Sequence, residues 1–295
     1  MIILFFKPIG GIVMMKETIL ITGAGTGLGR LCALTLAKIG KDVIAATETI
    51  EQADLLQKDA EALRISLRVE KLDITDANDR EKAWLWDVDI LVNNASVKEG
   101  GALIDIPEEN FRKQYEVNVF GTQLLTQGFA RQMVDKGYGR IVYVSSISGL
   151  LVNPFSGPYS STKFATESLA DTMKQELQEF SIEVATINPG PFLTGFNDEE
   201  FEKYRTWDDD LEERLYNYEN LFFPFPQLDP KKAIAPMVKV ILGETKLYRN
   251  FIPRVLSLGI HLHENFQWFK KTNWRLGKRH SLVVQSNEMK PATKI

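Results

Sequence analysis

Tyr159 and Lys163 stand four residues apart, and Ser146 precedes the tyrosine by thirteen. Helix positions i and i+4 share a face, so the Lys163 ammonium can sit under the Tyr159 phenol. A phenol with an ordinary pKa near ~10 is a poor acid–base catalyst at neutral pH. A fixed cation beside it favours the phenolate and brings that value down. The three residues could therefore form a proton-transfer device. Y-x-x-x-K also occurs by chance on solvated helix faces, so its weight depends on its company.

The elements that must position these residues follow from the apolar pattern. Apolar runs alternate with helical patterns, which argues for βαβ units and a parallel sheet. Strands are predicted at 18–22, 42–47, 67–72, 89–93, 140–145, 183–187 and 248–252. Helices are predicted at 27–39, then through about 63, and at 76–85, 118–135, 157–180 and 230–242. With right-handed crossovers, the expected fold is α/β: a single Rossmann-type doubly wound parallel sheet of about seven strands, helices on both faces.

The eight residues TGAGTGLG at 22–29 lie between a predicted strand and a predicted helix. A dinucleotide pyrophosphate would meet the helix N-terminus there. Gly23, Gly27 and Gly29 follow T-G-x-x-x-G-x-G, which differs from the G-x-G-x-x-G fingerprint. Glycine suits a backbone that must approach phosphate closely. A simple glycine-rich turn is the bland alternative, disfavoured by the flanking strand and helix.

The bulk numbers bound the answer. The chain has 295 residues, 44% hydrophobic and 25% charged, enough for one large core. A net charge of −4 argues against a nucleic-acid partner. The single Cys32 allows no internal disulfide and fits a reducing compartment, so a cytoplasmic location is expected. It reads as an inert core residue. His261, His263 and His280 show no metal-ligand spacing, and no metal site is read. Residues 1–15 are apolar but broken by Lys7, Pro8, Gly10 and Gly11. They are too short for a membrane helix of ~20 residues and lack a basic signal-peptide start. They are expected to form a poorly packed extension, before a domain spanning 16–253 and a helical extension with a disordered tail at 254–295.

In combination, these motifs make the chain resemble the short-chain dehydrogenase/reductase family over residues 17 to about 252. The resemblance rests on TGAGTGLG at 22–29, LDITD at 72–76, NNAS at 93–96, Asn118 with Gly121, SS at 145–146, Y-x-x-x-K at 159–163, and NPGPFLT at 188–194. It implies an oxidoreductase that moves hydride between a nicotinamide cofactor and a secondary alcohol or ketone. It implies that Ser146 polarises the carbonyl, with Ser145 the neighbouring alternative. Tyr159 would exchange the proton. Lys163 would lower the tyrosine pKa and bind the nicotinamide ribose, and Asn118 would interrupt its helix and hold a water linking Lys163 to solvent. Taken singly, Ser146 could cap a strand end and Asn118 a helix.

The same resemblance implies cofactor contacts at Thr22, Gly23, Thr26, Gly27, Leu28, Gly29, Glu48, Asp73, Ile74, Asn94, Ala95, Tyr159, Lys163, Pro189, Gly190 and Thr194. Asp73 would accept from the adenine amino group. Ser96 stands where the family carries glycine in N-N-A-G, which puts loop geometry there in question. The cofactor is NAD or NADP. Glu48 would repel a 2′-phosphate, and Thr26 stands where a basic residue often marks NADP, so NAD is expected.

The segment 191–228 is rich in aromatics, among them Phe192, Phe196, Tyr204, Trp207, Tyr216, Tyr218, Phe223 and Phe225. It reads as a lid over a lipophilic substrate or as a packed helical subdomain. Equal protease sensitivity with and without ligands would count against a lid. Beyond it, Val255, Leu258, Leu262, Phe266 and Phe269 recur at helical spacing, expected to pack on their own domain. No integral membrane segment is expected. A homodimer or homotetramer is expected through helices 118–135 and 157–180. A dinucleotide sensor without chemistry is the alternative in another class. Its weakness is that a sensor has no need of all four of Asn118, Ser146, Tyr159 and Lys163. An epimerase on a related fold is disfavoured by the glycine spacing.

Overall fold

A computed structural model describes residues 17–197, 202–207, 214–219, 221, 223, 225–260, 262 and 283–285. Seven parallel strands form its sheet: β1 (Thr18–Ile21), β2 (Asp42–Thr47), β3 (Arg68–Lys71), β4 (Ile90–Asn93), β5 (Gly139–Val144), β6 (Ile182–Pro189) and β7 (Arg249–Ile252). Their order is β3-β2-β1-β4-β5-β6-β7. The expected doubly wound sheet is therefore present.

The two faces are already written in β1. Ile19 and Ile21 point into one apolar cluster, and Leu20 into the other, as the period-two alternation of a strand requires. On the first face lie α1 (Gly27–Lys38), α2 (Ile50–Ala62) and α7 (Lys231–Ile241), through Leu36, Leu56 and Met237. On the second lie α3 (Ala77–Ala83), α5 (Thr122–Lys136) and α6 (Gly157–Leu177), through Ala83, Phe129 and Met173. Strands buried on both faces read as continuous apolar runs. Cys32 is 1% exposed, and burial pushes its thiol up to about 12. It is an inert core residue.

Helix boundaries follow local chemistry. Thr49 and Asp76 cap α2 and α3 by accepting from the N–H groups of Gln52 and Asp79. Gly137, at φ 73°, ends α5. One helix is longer than the sequence suggests. α4 (Glu108–Tyr115) runs through a π-helical turn, Glu116–Gly121, directly into α5. Among α4 residues only Gln114 is buried, so the segment has no apolar period to betray it.

The strand order reverses between β1 and β4, where Ile19 pairs with Ile90 and Ile21 with Val92. Ligands of open α/β sheets bind outside the carboxyl ends of the strands at such a reversal. The glycine-rich loop follows β1, and the Asn93–Ala95 turn follows β4.

Candidate active site

Side chains stitch the two loops at the reversal together. The Thr22 hydroxyl accepts from the N–H groups of Asn94 and Ala95, each at 3.0 Å, and donates to the Val92 carbonyl. Asn94 Nδ2 donates to the carbonyls of Thr22 and Gly23 at 2.9 and 3.1 Å. Gly23 has φ 61°, and a Cβ there would lie 2.6 Å from Ala95 Cα. No other residue fits. Thr26 precedes α1 without a side-chain cap, and the first helical turn carries no acid. Its N–H groups suit an anion.

A cavity of ≈ 950 Å³ extends from this loop along the strand ends to Tyr159, within the usual ligand-pocket range of about 300–1,000 Å³. Gly23, Thr26, Gly27, Leu28, Gly29, Glu48, Asp73, Ile74, Asn94 and Ala95 line one end. Ser146, Tyr159, Lys163, Pro189, Gly190 and Thr194 line the other, and Ser145 lies beside them. Thr22 and Asn118, by contrast, are buried behind the wall and do not line it. A glycine cradle, an uncapped helix start and a long cleft fit a dinucleotide.

Tyr159 and Lys163 are brought together by α6. They are 4% and 3% exposed, with Lys163 Nζ 5.6 Å from the phenol ring centroid. The ammonium also donates to the Val144 carbonyl at 3.1 Å. Ser146 has extended backbone, and its Oγ accepts from Ser148 N–H at 3.0 Å, capping a short 3₁₀ turn. Accepting that bond leaves the Ser146 O–H able to donate elsewhere.

Asn118 lies in the π-helical turn. Its Oδ1 accepts from Val97 N–H and the Ser96 hydroxyl, and its Nδ2 donates to the Val97 carbonyl and Thr162 Oγ1, all within 2.8–3.0 Å. The side chain fastens α6 to the loop after β4. Ser96 is not among the residues with positive φ. Serine thus costs the loop no strain and adds a bond to Asn118.

The aromatic segment divides. Tyr204, Trp207 and Tyr218 pack with Phe155 and Ala102 in a third cluster, joined by Tyr216 and Val283 at its edge. Phe196, Phe223 and Phe225 line the cavity. Past β7, Leu256 lines the cavity and Ile260 is 4% exposed, whereas Val255, Leu258 and Leu262 are 78, 68 and 63% exposed. Of the residues expected to pack inward, Leu258 and Leu262 face outward, while Val255 also borders the cavity. Phe266 and Phe269 lie outside the described residues, as does the 1–15 extension.

Sequence reasoning missed two charged residues. Glu167, one turn beyond Lys163, is buried and accepts from Asn188 Nδ2 at 2.6 Å and Arg249 Nη2 at 2.9 Å. Lys98, in the loop after β4, is 5% exposed and sets its ammonium 5.0 Å from the Tyr159 ring centroid. The i+4 spacing to Lys163 could have flagged Glu167. Nothing in the local pattern flags Lys98. No group of three or more metal-ligating side chains occurs among the described residues, and no helix there is long and apolar enough to cross a membrane.

Burial pushes the Lys163 ammonium down from an ordinary 10.5 to about 8, while the Glu167 carboxylate pulls it up and the Lys98 ammonium pushes it further down. Between those two pH values the unfolded chain holds the proton that the folded chain has lost, so folded stability rises with pH across the window. Lys163→Met has no such window. The wild type should therefore gain stability on Lys163→Met between pH 8 and 10.5, by at most on the order of 3 kcal/mol. Denaturant unfolding of both proteins across that range checks this; a constant difference refutes it.

Comparison with known proteins agrees with the geometry. Residues 17–205 match the family model for short chain dehydrogenase. An uncharacterized oxidoreductase, YusZ, of Bacillus subtilis is 37% identical over 61% of this chain and 67% of its own length. An NADPH-dependent 3-dehydrocapnine reductase of Ornithobacterium rhinotracheale is 33% identical over 59% of this chain and 65% of its own. The match thus spans about two thirds of these relatives. A solved short-chain dehydrogenase from Streptomyces avermitilis superposes with a TM-score of 0.71 at 25% identity, covering 89% of this chain and 97% of that one. With a phosphate cradle at one end of its cleft and a lysine-flanked phenol at the other, the chain belongs to the short-chain dehydrogenase family and is an NAD(P)-dependent oxidoreductase.

Proposed function

We propose that the enzyme interconverts a lipophilic secondary alcohol and its ketone, with Ser146, Tyr159 and Lys163 as the residues that touch the reacting groups. The observation that carries this is the Tyr159 phenol beside the Lys163 ammonium at one end of the dinucleotide-sized cleft. The bound dinucleotide supplies the hydride donor or acceptor. Ser146 donates its O–H to the substrate oxygen. Tyr159 gives that oxygen a proton in reduction and removes it in oxidation, its phenolate favoured by Lys163. Lys163 also binds the nicotinamide ribose. Asn118 acts from behind the wall, holding the loop after β4 against α6, and its π-turn backbone is the place for a water reaching Lys163. Leu151, Phe196, Phe223, Phe225 and Leu256 give the substrate end an apolar wall.

The adenosine end favours NAD. Glu48 lines it, and its carboxylate would accept from a ribose 2′-hydroxyl and repel a 2′-phosphate. Arg30, in the first turn of α1, is paired with Asp59 and donates to the Gly25 carbonyl. One relative is named as NADPH-dependent; Glu48 is the reason for this chain to differ. Assembly through α5 and α6 is supported by Leu124 and Phe164, 40 and 42% exposed there, and by Phe120 in the π-helical turn before α5, 53% exposed.

Four outcomes are expected. A panel of alcohols, ketones and aldehydes followed by nicotinamide absorbance yields turnover. Tyr159→Phe lowers kcat by about 10²-fold or more while dinucleotide still binds; binding without turnover across the panel would instead mark a sensor. Steady-state kinetics with both dinucleotides show kcat/KM for NAD at least roughly ten-fold above NADP, and the reverse order refutes the role given to Glu48. Sedimentation equilibrium shows a dimer or tetramer, whereas a single-chain mass at micromolar concentration removes the proposed interface.

A further inference from the structure

Glu167 stands one turn beyond Lys163 on α6, and its side chain is 7% exposed. A carboxylate taken out of water needs partners, and here its two oxygens divide them. Oε2 accepts from Arg249 Nη2 and Nε at 2.9 and 3.2 Å, on the edge strand β7. Oε1 accepts from Asn188 Nδ2 at 2.6 Å. A carboxylate that only tied α6 to β7 could rest on Arg249 alone.

Asn188 lies in β6 and is fully buried. Its Oδ1 accepts from Thr186 Oγ1 at 3.1 Å, and its Nδ2 donates a second bond, to the Ser146 carbonyl at 3.2 Å. That carbonyl also accepts from the Gly149 N–H at 3.0 Å, so both its lone pairs are used. The turn after Ser146 is seated on the same carboxylate. A Cβ at Gly149 would lie 3.0 Å from Glu167 Cγ and 3.0 Å from the Lys163 carbonyl oxygen, so the turn and α6 are in close contact there. Charge reaches this point from several elements. Lys163 on α6, Arg249 on β7 and the Tyr248 phenol all act on or with Glu167. Lys98 acts on Lys163 from the loop after β4.

We propose that Glu167 and Asn188 are positioning residues: Asn188 holds the backbone of Ser146 at the end of β5, and Glu167 orients Asn188 while balancing the charge of Lys163, so that one carboxylate sets both the serine and the lysine against Tyr159. This rests on the reading of Ser146 and Lys163 as groups that touch the reacting atoms, and deepens it. Ser146 and Lys163 come from different elements, and reacting geometry tolerates only about 0.5 Å of error. Neither Glu167 nor Asn188 lines the cavity, so both act through the residues that do.

The test has two arms, each on the full chain. The first measures reduction of the fastest ketone of the panel at saturating dinucleotide. Asn188→Ala leaves the Glu167–Arg249 pair in place and removes the hold on Ser146. It should lower kcat roughly 10- to 100-fold while KM and dinucleotide affinity change less than about three-fold. In a Ser146→Ala background the same substitution should cost little more, because the two act as one unit. Asn188→Ser, which fills part of the space, takes its place if Asn188→Ala does not fold. The second arm repeats the unfolding comparison with Lys163→Met in a Glu167→Gln background. Without the carboxylate, Lys163 releases its proton more readily, so the gain of stability with pH should begin at least about half a pH unit lower than in the wild type. Wild-type kcat in the Asn188 variant, a full further loss on top of Ser146→Ala, or an unmoved pH window each overturns the proposal. Undiminished kcat in Ser146→Ala alone instead removes the reading beneath it.

Discussion

An ammonium group enclosed in protein costs several kcal/mol unless its surroundings hold it, and Lys163 is such a group. Val144 offers a carbonyl, the Tyr159 ring offers its face, and Glu167 offers an opposite charge one turn along α6. Glu167 is tied in turn to Asn188 on β6 and Arg249 on β7. A line of polar contacts thus runs from α6 to the edge of the sheet. The last three strands and α6 are fixed relative to one another by the same bonds that keep the lysine charged. A lysine brought to about 8 is also closer to giving up its proton than one in water.

The cleft exists because the sheet reverses direction at β1 and β4, and it stays open because Thr22 and Asn94 hold the loops after those strands in register. The aromatic segment after β6 then works in two ways. Tyr204, Trp207 and Tyr218 build a small apolar cluster of their own with Phe155. Ala102 and Ile106 of the loop after β4 pack in or against it. Phe196 and Phe223 are left to shape the cavity and to hold Lys98. Part of this segment packs as a cluster and part lines the cavity, and Phe223 does both.

Much of this was legible in the chain. Runs such as TILI at β1 and ILVN at β4 are too apolar for anything but buried strands, and the glycine spacing after β1 announces a close backbone approach. Tyr159 and Lys163 share a helix face by their i, i+4 spacing, and the family resemblance singled out Ser146 after β5, which lines the same cavity. The failures have physical causes. α4 is polar almost throughout and borrows its stability from continuity with α5. Lys98 owes its place to rings a hundred residues away, which local pattern cannot convey. Past β7 the apolar residues recur at helical spacing, yet the buried contacts fall to Leu256 and Ile260. Period alone does not say which side of a short helix meets the protein.

The π-helical turn at Glu116–Gly121 has an effect on geometry beyond Asn118. Each helical residue advances the side-chain direction by about 100°. A wide turn between α4 and α5 therefore resets the angular phase of everything that follows it. The stripe formed by Leu125, Phe129 and Met133 faces the sheet, and the offset sets how that stripe stands relative to the faces of α4. The local widening that lets one asparagine reach sideways thus also aims fifteen residues of α5, so hydrogen bonding at the loop and burial at the core are geared to a single backbone irregularity.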